Sequence, residues 1–244
     1  MSAALLEVDH LTKRFGGVTA VNECSFSVEE GSITALIGPN GSGKTTAFNM
    51  ITGYLKADSG SIRFRGEDIP RPRPADLYRR GLSRTFQQAR IFPDLTVEEN
   101  LVVAAGYSWS QLFGRRVSKV DQERAHKVLA EFRLESLIDL AASELSYGQR
   151  KLLEFAAVLM SDPKLVLLDE PTAGVNPVMI DTMEKHIRER NAAGVTFLIV
   201  EHDMQLVMRL CNPVIVLDQG SEIAFGTPEQ VQSDPRVLEA YLGG

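Results

Sequence analysis

Residues Gly38-Pro39-Asn40-Gly41-Ser42-Gly43-Lys44-Thr45-Thr46 follow an apolar, β-rich run, Ser32 to Ile37, and lead into a stretch compatible with a helix. This is the G-x-x-x-x-G-K-[ST] pattern in the strand–loop–helix setting that its chemistry requires. Glycines let the backbone curl so that consecutive N–H groups face phosphate oxygens, and the following helix adds its positive N-terminal end. Lys44 is placed to reach the β- and γ-phosphates, and the Thr45 hydroxyl to ligate Mg²⁺. The loop therefore demands an α/β core with a nucleotide site. Alone it does not choose between kinase, GTPase, helicase and transport ATPase.

The remaining chain bounds that choice. With 244 residues, 44% hydrophobic and 24% charged, it has the composition of an ordinary globular protein with one substantial core. A net charge of −6 argues against a general nucleic-acid binder. Charge is locally basic at Arg71, Arg73, Arg79, Arg80, Arg84 and Arg90, which read as solvated surface or as a face toward a membrane partner or anionic lipid. Two cysteines, Cys24 and Cys211, without metal-ligand spacing fit a reducing cytosol. Met1 to Asp9 lacks the pattern of a signal peptide, and no apolar run is long enough to span a bilayer. The expectation is a protein soluble by itself.

Short strands are expected over Leu5–Val8, Ser25–Val28, Ser32–Ile37, Ser61–Arg65 and Leu82–Phe86, with helices over Lys44–Thr52 and Ala75–Arg80. Val97–Ala105, Asp121–Leu134 and Gly148–Met160 have helical spacing and predict a helical subdomain. The connector Gly106 to Val117, with Trp109, carries no assignable pattern. Leu165–Asp169 and Val195–Val200 are continuous apolar runs, as expected for parallel strands buried on both faces, with an amphipathic helix, Pro177–Asn191, between them. A hairpin, Val214–Leu217 and Ser221–Phe225, turns at Gln219-Gly220, and short helices over Pro228–Ser233 and Pro235–Leu242 follow. The expected organisation is a single α/β domain over 1–244: a β-rich N-terminal part, a nucleotide-binding core over 1–93 and 161–244, and an inserted helical part over 94–160.

Leu165-Val166-Leu167-Leu168-Asp169-Glu170 supplies the second half of a hydrolytic site. The strand carries Asp169 to its C-terminal end, where ligands collect in open α/β sheets. Asp169 can hold Mg²⁺ through water, and Glu170 can polarise the attacking water.

Further motifs, in order along the chain, resemble those of ABC-transporter ATPases. Leu145-Ser146-Tyr147-Gly148-Gln149 resembles their signature, Phe86-Gln87 their Q-loop, Ala173-Gly174-Val175-Asn176-Pro177 their D-loop and Val200-Glu201-His202-Asp203 their switch histidine. Phe15, in Lys13-Arg14-Phe15-Gly16, stands where the family stacks an aromatic ring on adenine. The resemblance covers essentially the whole chain. It implies that Ser146, Gly148 and Gln149 face the γ-phosphate held by a partner ATPase in a head-to-tail dimer. It further implies that His202 contacts the γ-phosphate, and that Gln87 senses Mg²⁺ and water. Tyr147 replaces the commonest signature glycine, Asn176 the usual D-loop aspartate, and Ala157 a frequent arginine. None of these removes a phosphate ligand or the base, while Asn176 bears on communication between the two sites.

Arg84-Thr85-Phe86-Gln87, the Tyr147 signature, Glu201-His202-Asp203-Met204, Phe225-Gly226-Thr227-Pro228-Glu229 and Ala240-Tyr241-Leu242-Gly243 narrow the resemblance to branched-chain amino-acid importer ATPases. What this implies is a peripheral ATPase at the cytoplasmic face of the inner membrane, using ATP and Mg²⁺. Its implied partners are two permease subunits, a second ATPase of the same or a different kind and, indirectly, an external solute-binding protein, with no nucleic acid. Urea or amide importers and lipid or lipopolysaccharide exporters are the alternatives within the family. A non-transport ABC ATPase acting on DNA or ribosomes, or a phosphate-loop kinase, are the alternatives outside that role.

Overall fold

A computed structural model describes residues 4–86, 90–105 and 118–242. Among the described residues ten strands form two sheets. The first is antiparallel, in the order β2(Val18–Glu29), β1(Ala4–Phe15), β4(Ser59–Phe64), β5(Glu67–Asp68). The second runs β10(Ser221–Gly226), β9(Val214–Asp218), β3(Ile33–Ile37), β8(Thr196–Val200), β7(Leu165–Asp169), β6(Leu82–Arg84). It is parallel except for the β9–β10 hairpin, which turns through Gln219 and Gly220 at φ 46° and 83°.

The central strands β3, β7 and β8 are buried at every position, so alternate residues serve two different cores. Leu36, Leu165, Leu167, Leu198 and Val200 pack with α1(Lys44–Ile51) and the antiparallel sheet. Val166, Leu168, Phe197 and Ile199 face the opposite layer, built from α3(Val97–Ala104), α4(Lys119–Glu131), α5(Tyr147–Leu159), α6(Pro177–Ala192) and α7(Met204–Leu210). Two-sided burial is why these strands read as unbroken apolar runs rather than alternating ones. Phe132 at the end of α4 joins the layer together, with its ring edge-on to Phe155 at 5.5 Å and stacked on His186 at 4.1 Å.

The helices begin where the sequence provides caps. Thr96 and Glu99 form a reciprocal capping box on α3, and Ser146 and Gln149 do the same on α5. Asn176 caps α6, with Pro177 as its first residue, and Asp203 caps α7. Among the described residues α2(Pro74–Arg79), α7 and α8(Pro228–Gln232) are shorter than two full turns, and α9(Pro235–Leu242) follows α8. No helix among the described residues is long and apolar enough to cross a membrane.

The expected β–α–β unit is present, with β7, α6 and β8 within a residue of the expected limits and β7 beside β8 in the sheet. The N-terminal ribbon is longer than expected: β1 runs on to Phe15 and β2 begins at Val18. Left-handed residues at His10 and Glu23, φ 48° and 47°, and register shifts between Val8 and Leu11 interrupt the alternation that marks a strand. β6 ends at Arg84 rather than Phe86, and α7 was not foreseen.

Candidate functional site

The glycine-rich loop sits between β3 and α1, at the C-terminal edge of the parallel sheet. α1 begins after Gly43, at φ 99°, with no side-chain cap and no acidic residue in its first turn. Its N-terminal N–H groups therefore have no competitor within their own helix, which is the arrangement that favours an anion. Two of the glycines are required by contact. A Cβ at Gly38 would stand 2.0 Å from the Leu217 carbonyl oxygen, and one at Gly43 would stand 2.4 Å from that of Ala20. β2 and the β9–β10 turn press on the loop from outside, and the Gly220 amide donates to the Ser42 carbonyl at 3.0 Å.

Lys44 is buried, and its Nζ donates to the Gly38 and Pro39 carbonyls, each at 2.8 Å, and to Ser42 Oγ at 3.2 Å. Burial lowers its pKa from the ordinary lysine value, while the nearby Glu170 and Asp169 carboxylates act in the opposite direction. Asp169 ends β7 and Glu170 follows it, at the same C-terminal edge of the parallel sheet as the loop. Asn40 and Thr45 are exposed, Pro39 and Thr46 partly so.

Asp169 ends β7 in a buried position. Its Oδ2 accepts from Arg84 Nη2 at 2.7 Å, in an ion pair whose side chains are 6% and 4% exposed. Arg84 also donates from Nη1 to Asn49 Oδ1 at 2.7 Å and to Thr52 Oγ1 at 2.9 Å, both near the C-terminal end of α1. Its guanidinium lies 4.9 Å from the Phe86 ring centre, and Arg90 covers the same ring at 3.7 Å. The basic cluster is thus not a single face. Arg84 is internal, Arg79 pairs with Asp76, and Arg80 pairs with Glu67 at 2.7 Å.

Glu170 adopts a left-handed conformation, φ 47°, which no side chain but glycine takes without cost. Its N–H donates to the Val200 carbonyl at 2.9 Å. Its Oε1 lies 2.8 Å from His202 Nε2, so the structure joins two residues that are 32 apart in sequence. The carboxylate and the imidazole are both partly exposed, so solvent reaches the pair.

Ser146 is the N-cap of α5: its Oγ accepts from the Gln149 N–H at 3.3 Å, and its own N–H donates to Gln149 Oε1 at 2.9 Å. The start of α5 interlocks with the segment after β7. A Cβ at Gly174 would meet Tyr147 Cε1 at 3.0 Å, and one at Gly148 would meet Met179 Sδ at 2.4 Å. Each glycine is a hollow filled by the other segment, so Tyr147 has an internal packing role that a glycine there would lack. Asn176 accepts from the Met179 N–H at 3.0 Å, the same cap that an aspartate would form. Phe15 projects at the end of β1, 51% exposed, with Lys13 Nζ 5.6 Å from its ring centre. Gln87 lies outside the described residues, as does the 106–117 connector with Trp109.

Two residues with large roles in this geometry had no role assigned from sequence. Arg84 was visible as a cation in a strand that the sheet buries, and such a charge needs a partner. Glu201, buried at the end of β8, carried the same signal.

The family model described as "ABC transporter" matches residues 21–173, and one described as "Branched-chain amino acid ATP-binding cassette transporter" matches residues 222–244. The chain is 42% identical over 254 residues to the high-affinity branched-chain amino acid transport ATP-binding protein BraF of Pseudomonas aeruginosa, covering 100% of this chain and 99% of that protein. It is 39% identical over 254 residues to the corresponding protein LivG of Escherichia coli, with the same coverage. A solved nucleotide-free ATP-binding cassette from an ABC transporter superposes with a TM-score of 0.88 at 39% identity, over 99% of this chain and 100% of that one. Sequence, fold and the order of the motifs agree, and this chain belongs to the ABC transporter family as one of its ATP-binding cassettes.

Proposed function

We propose that this chain is the ATP-hydrolysing subunit that energises an importer of branched-chain amino acids. The observation that carries the reading is the Glu170–His202 pair, 2.8 Å apart, beside the Lys44 loop. The match of the last residues, 222–244, to the branched-chain amino acid cassette model supports the choice of solute.

The roles follow from position. The amides of 41–46 and Lys44 bind the phosphates, and Lys44 exchanges its present carbonyl partners for phosphate oxygens. Thr45 and Asp169 offer only hard oxygen donors, which suit Mg²⁺, an ion that keeps several waters and takes further ligands from phosphate. Mg²⁺, when bound, neutralises charge on the β- and γ-phosphate oxygens. Glu170 Oε2 accepts the proton of the attacking water, and His202 orients Glu170 and reaches toward the γ-phosphate. Phe15, exposed beside Lys13, stacks on adenine. Ser146, Gly148 and Gln149 present their helix start to the nucleotide of a second ATPase, and Gln87 completes the metal and water environment. Residues 94–160 form the helical part of the cassette, and 1–93 with 161–244 form its nucleotide-binding core. The chain works as a peripheral subunit on the cytoplasmic side of a membrane, under permease subunits that bind the solute.

Deleting the gene in the source cell is expected to abolish uptake of labelled leucine and valine. A plasmid copy restores it and the Glu170→Gln copy does not. Unchanged uptake of both, with loss of another solute, overturns the solute assignment. In the purified chain Lys44→Ala is expected to weaken binding of a fluorescent ATP analogue by at least about tenfold, since a charge-assisted contact of roughly 1.5–3 kcal/mol is lost. Wild-type affinity in equilibrium titration contradicts the phosphate role of Lys44.

A further inference from the structure

We infer that Glu201 is a positioning residue that fixes the gap between Glu170 and His202. The inference rests on the roles proposed for those two residues. Glu201 is 4% exposed, and among the described residues no cation lies within ion-pair reach of it. With no ion pair, its two oxygens are held by hydrogen bonds, and the charge of the buried Lys151 acts on it only from beyond ion-pair distance. Its two oxygens divide the work between two loops. Oε1 accepts from the Thr172 N–H at 3.0 Å and from Thr172 Oγ1 at 2.5 Å. Oε2 accepts from the His202 N–H at 2.9 Å and from the Asp203 N–H at 3.4 Å.

Thr172 lies two residues after Glu170, and His202 lies next to Glu201. One carboxylate therefore ties the loop that carries the base to the loop that carries the histidine, behind the point where their side chains meet. The tie is stiff on both sides. Asp203 goes on to cap α7 through the Gln205 and Leu206 amides, and the Glu170 amide is bonded to Val200 in β8. Glu170 sits in a left-handed conformation that persists only when its surroundings enforce it. Glu201 is part of that enforcement.

An acceptor is needed at both oxygens, so glutamine cannot replace Glu201 silently. Its amide nitrogen must face one loop's N–H donors, which frees that loop while the volume stays the same. Glu201→Gln is expected to lower the ATP turnover number of the full chain by about tenfold and to leave the KM for ATP within about twofold, because the phosphate-binding loop is untouched. Thr172→Val removes one donor and is expected to lower turnover in the same way, with Thr172→Ser restoring it. The second readout is the His202 ring Cε1–Hε1 NMR signal, assigned among the four histidines by its loss in His202→Gln. It is expected to shift in Glu201→Gln and Thr172→Val, while the other three histidine signals stay in place.

An unmoved His202 signal in both variants overturns the inference, whatever happens to turnover. Wild-type turnover in both variants overturns it as well. If Glu201→Gln does not fold, the Thr172 pair decides the question alone. Failure of the underlying reading is separate: it appears as wild-type turnover in Glu170→Gln, a result that leaves the NMR comparison intact.

Discussion

Glu170→Gln is expected to lower ATP turnover by about 10²–10⁴-fold while nucleotide binding is retained. The substitution keeps the size of the side chain and the hydrogen-bonding partner, because an amide can still meet His202 Nε2 across the 2.8 Å now bridged by the carboxylate. What it removes is the proton acceptor. It also removes a negative charge that now favours the charged form of Lys44, while the Asp169 carboxylate continues to act in that direction. Binding of ATP is not expected to suffer, since repulsion between Glu170 and the γ-phosphate is relieved. Phosphate release measured against binding of a fluorescent ATP analogue separates the two steps. Hydrolysis at the wild-type rate means that Glu170 is not the base, and loss of binding means that the side chain is chiefly structural. In complex with a second ATPase the same variant should accumulate as an ATP-loaded dimer, visible as a shift in molar mass on adding ATP.

Legibility in the sequence followed physical causes that differ from element to element. β7 and β8 were read almost to the residue because burial on both faces forces unbroken apolar runs. α6 was read equally well because Asn176 and Pro177 announce its start in the only way a helix start can be announced, by a cap and a pre-set φ. The β1–β2 ribbon was under-read for the opposite reason. Its irregularities at His10 and Glu23 shift the alternation, so only Leu5–Val8 of β1 and Ser25–Val28 of β2 showed clearly. α7 escaped because, unlike the equally short α2 and α8, it has no proline at its start, and its cap, Asp203, lies within the switch motif.

The candidate site divides along the same line. Motif positions such as Lys44, Asp169 and Glu170 were nameable from the chemistry that phosphate, metal and water demand, and His202 only through the resemblance to the family. Their supports were not nameable. Arg84 and Glu201 act on residues 85 and 29 positions away, Asp169 and Thr172, through contacts that exist only once the sheet has brought β6, β7 and β8 side by side. Each carried one signal, a charge at the end of an apolar strand, but that signal does not say which distant residue meets the charge. Of the clustered arginines that the sequence does single out, Arg80 makes an exposed pair with Glu67, of a kind that contributes little.

Arg84→Met should therefore be the most destabilising single change at the site, by about 3–5 kcal/mol, because it leaves the Asp169 carboxylate buried and without its guanidinium. The methionine keeps much of the stem's packing under Phe86 but can donate nothing to Asn49 Oδ1 or Thr52 Oγ1. For a chain of this size that corresponds to a fall in Tm of roughly 6–20 °C. Arg79→Met, which breaks an exposed pair with Asp76, should move Tm by at most about 4 °C. A double variant, Arg84→Met with Asp169→Leu, is expected to regain a large part of the loss, since the cost lies in the orphaned charge rather than in the missing attraction. Thermal unfolding of the four proteins under one buffer decides the matter. If Arg84→Met melts with the wild type, the buried pair is not what holds β6, β7 and α1 together. If the double variant recovers while hydrolysing nothing, then an apolar pair would serve the fold as well. The ion pair is then explained by the site, where Arg84, itself fixed by Asn49 and Thr52, holds the Asp169 carboxylate in one orientation at the end of β7.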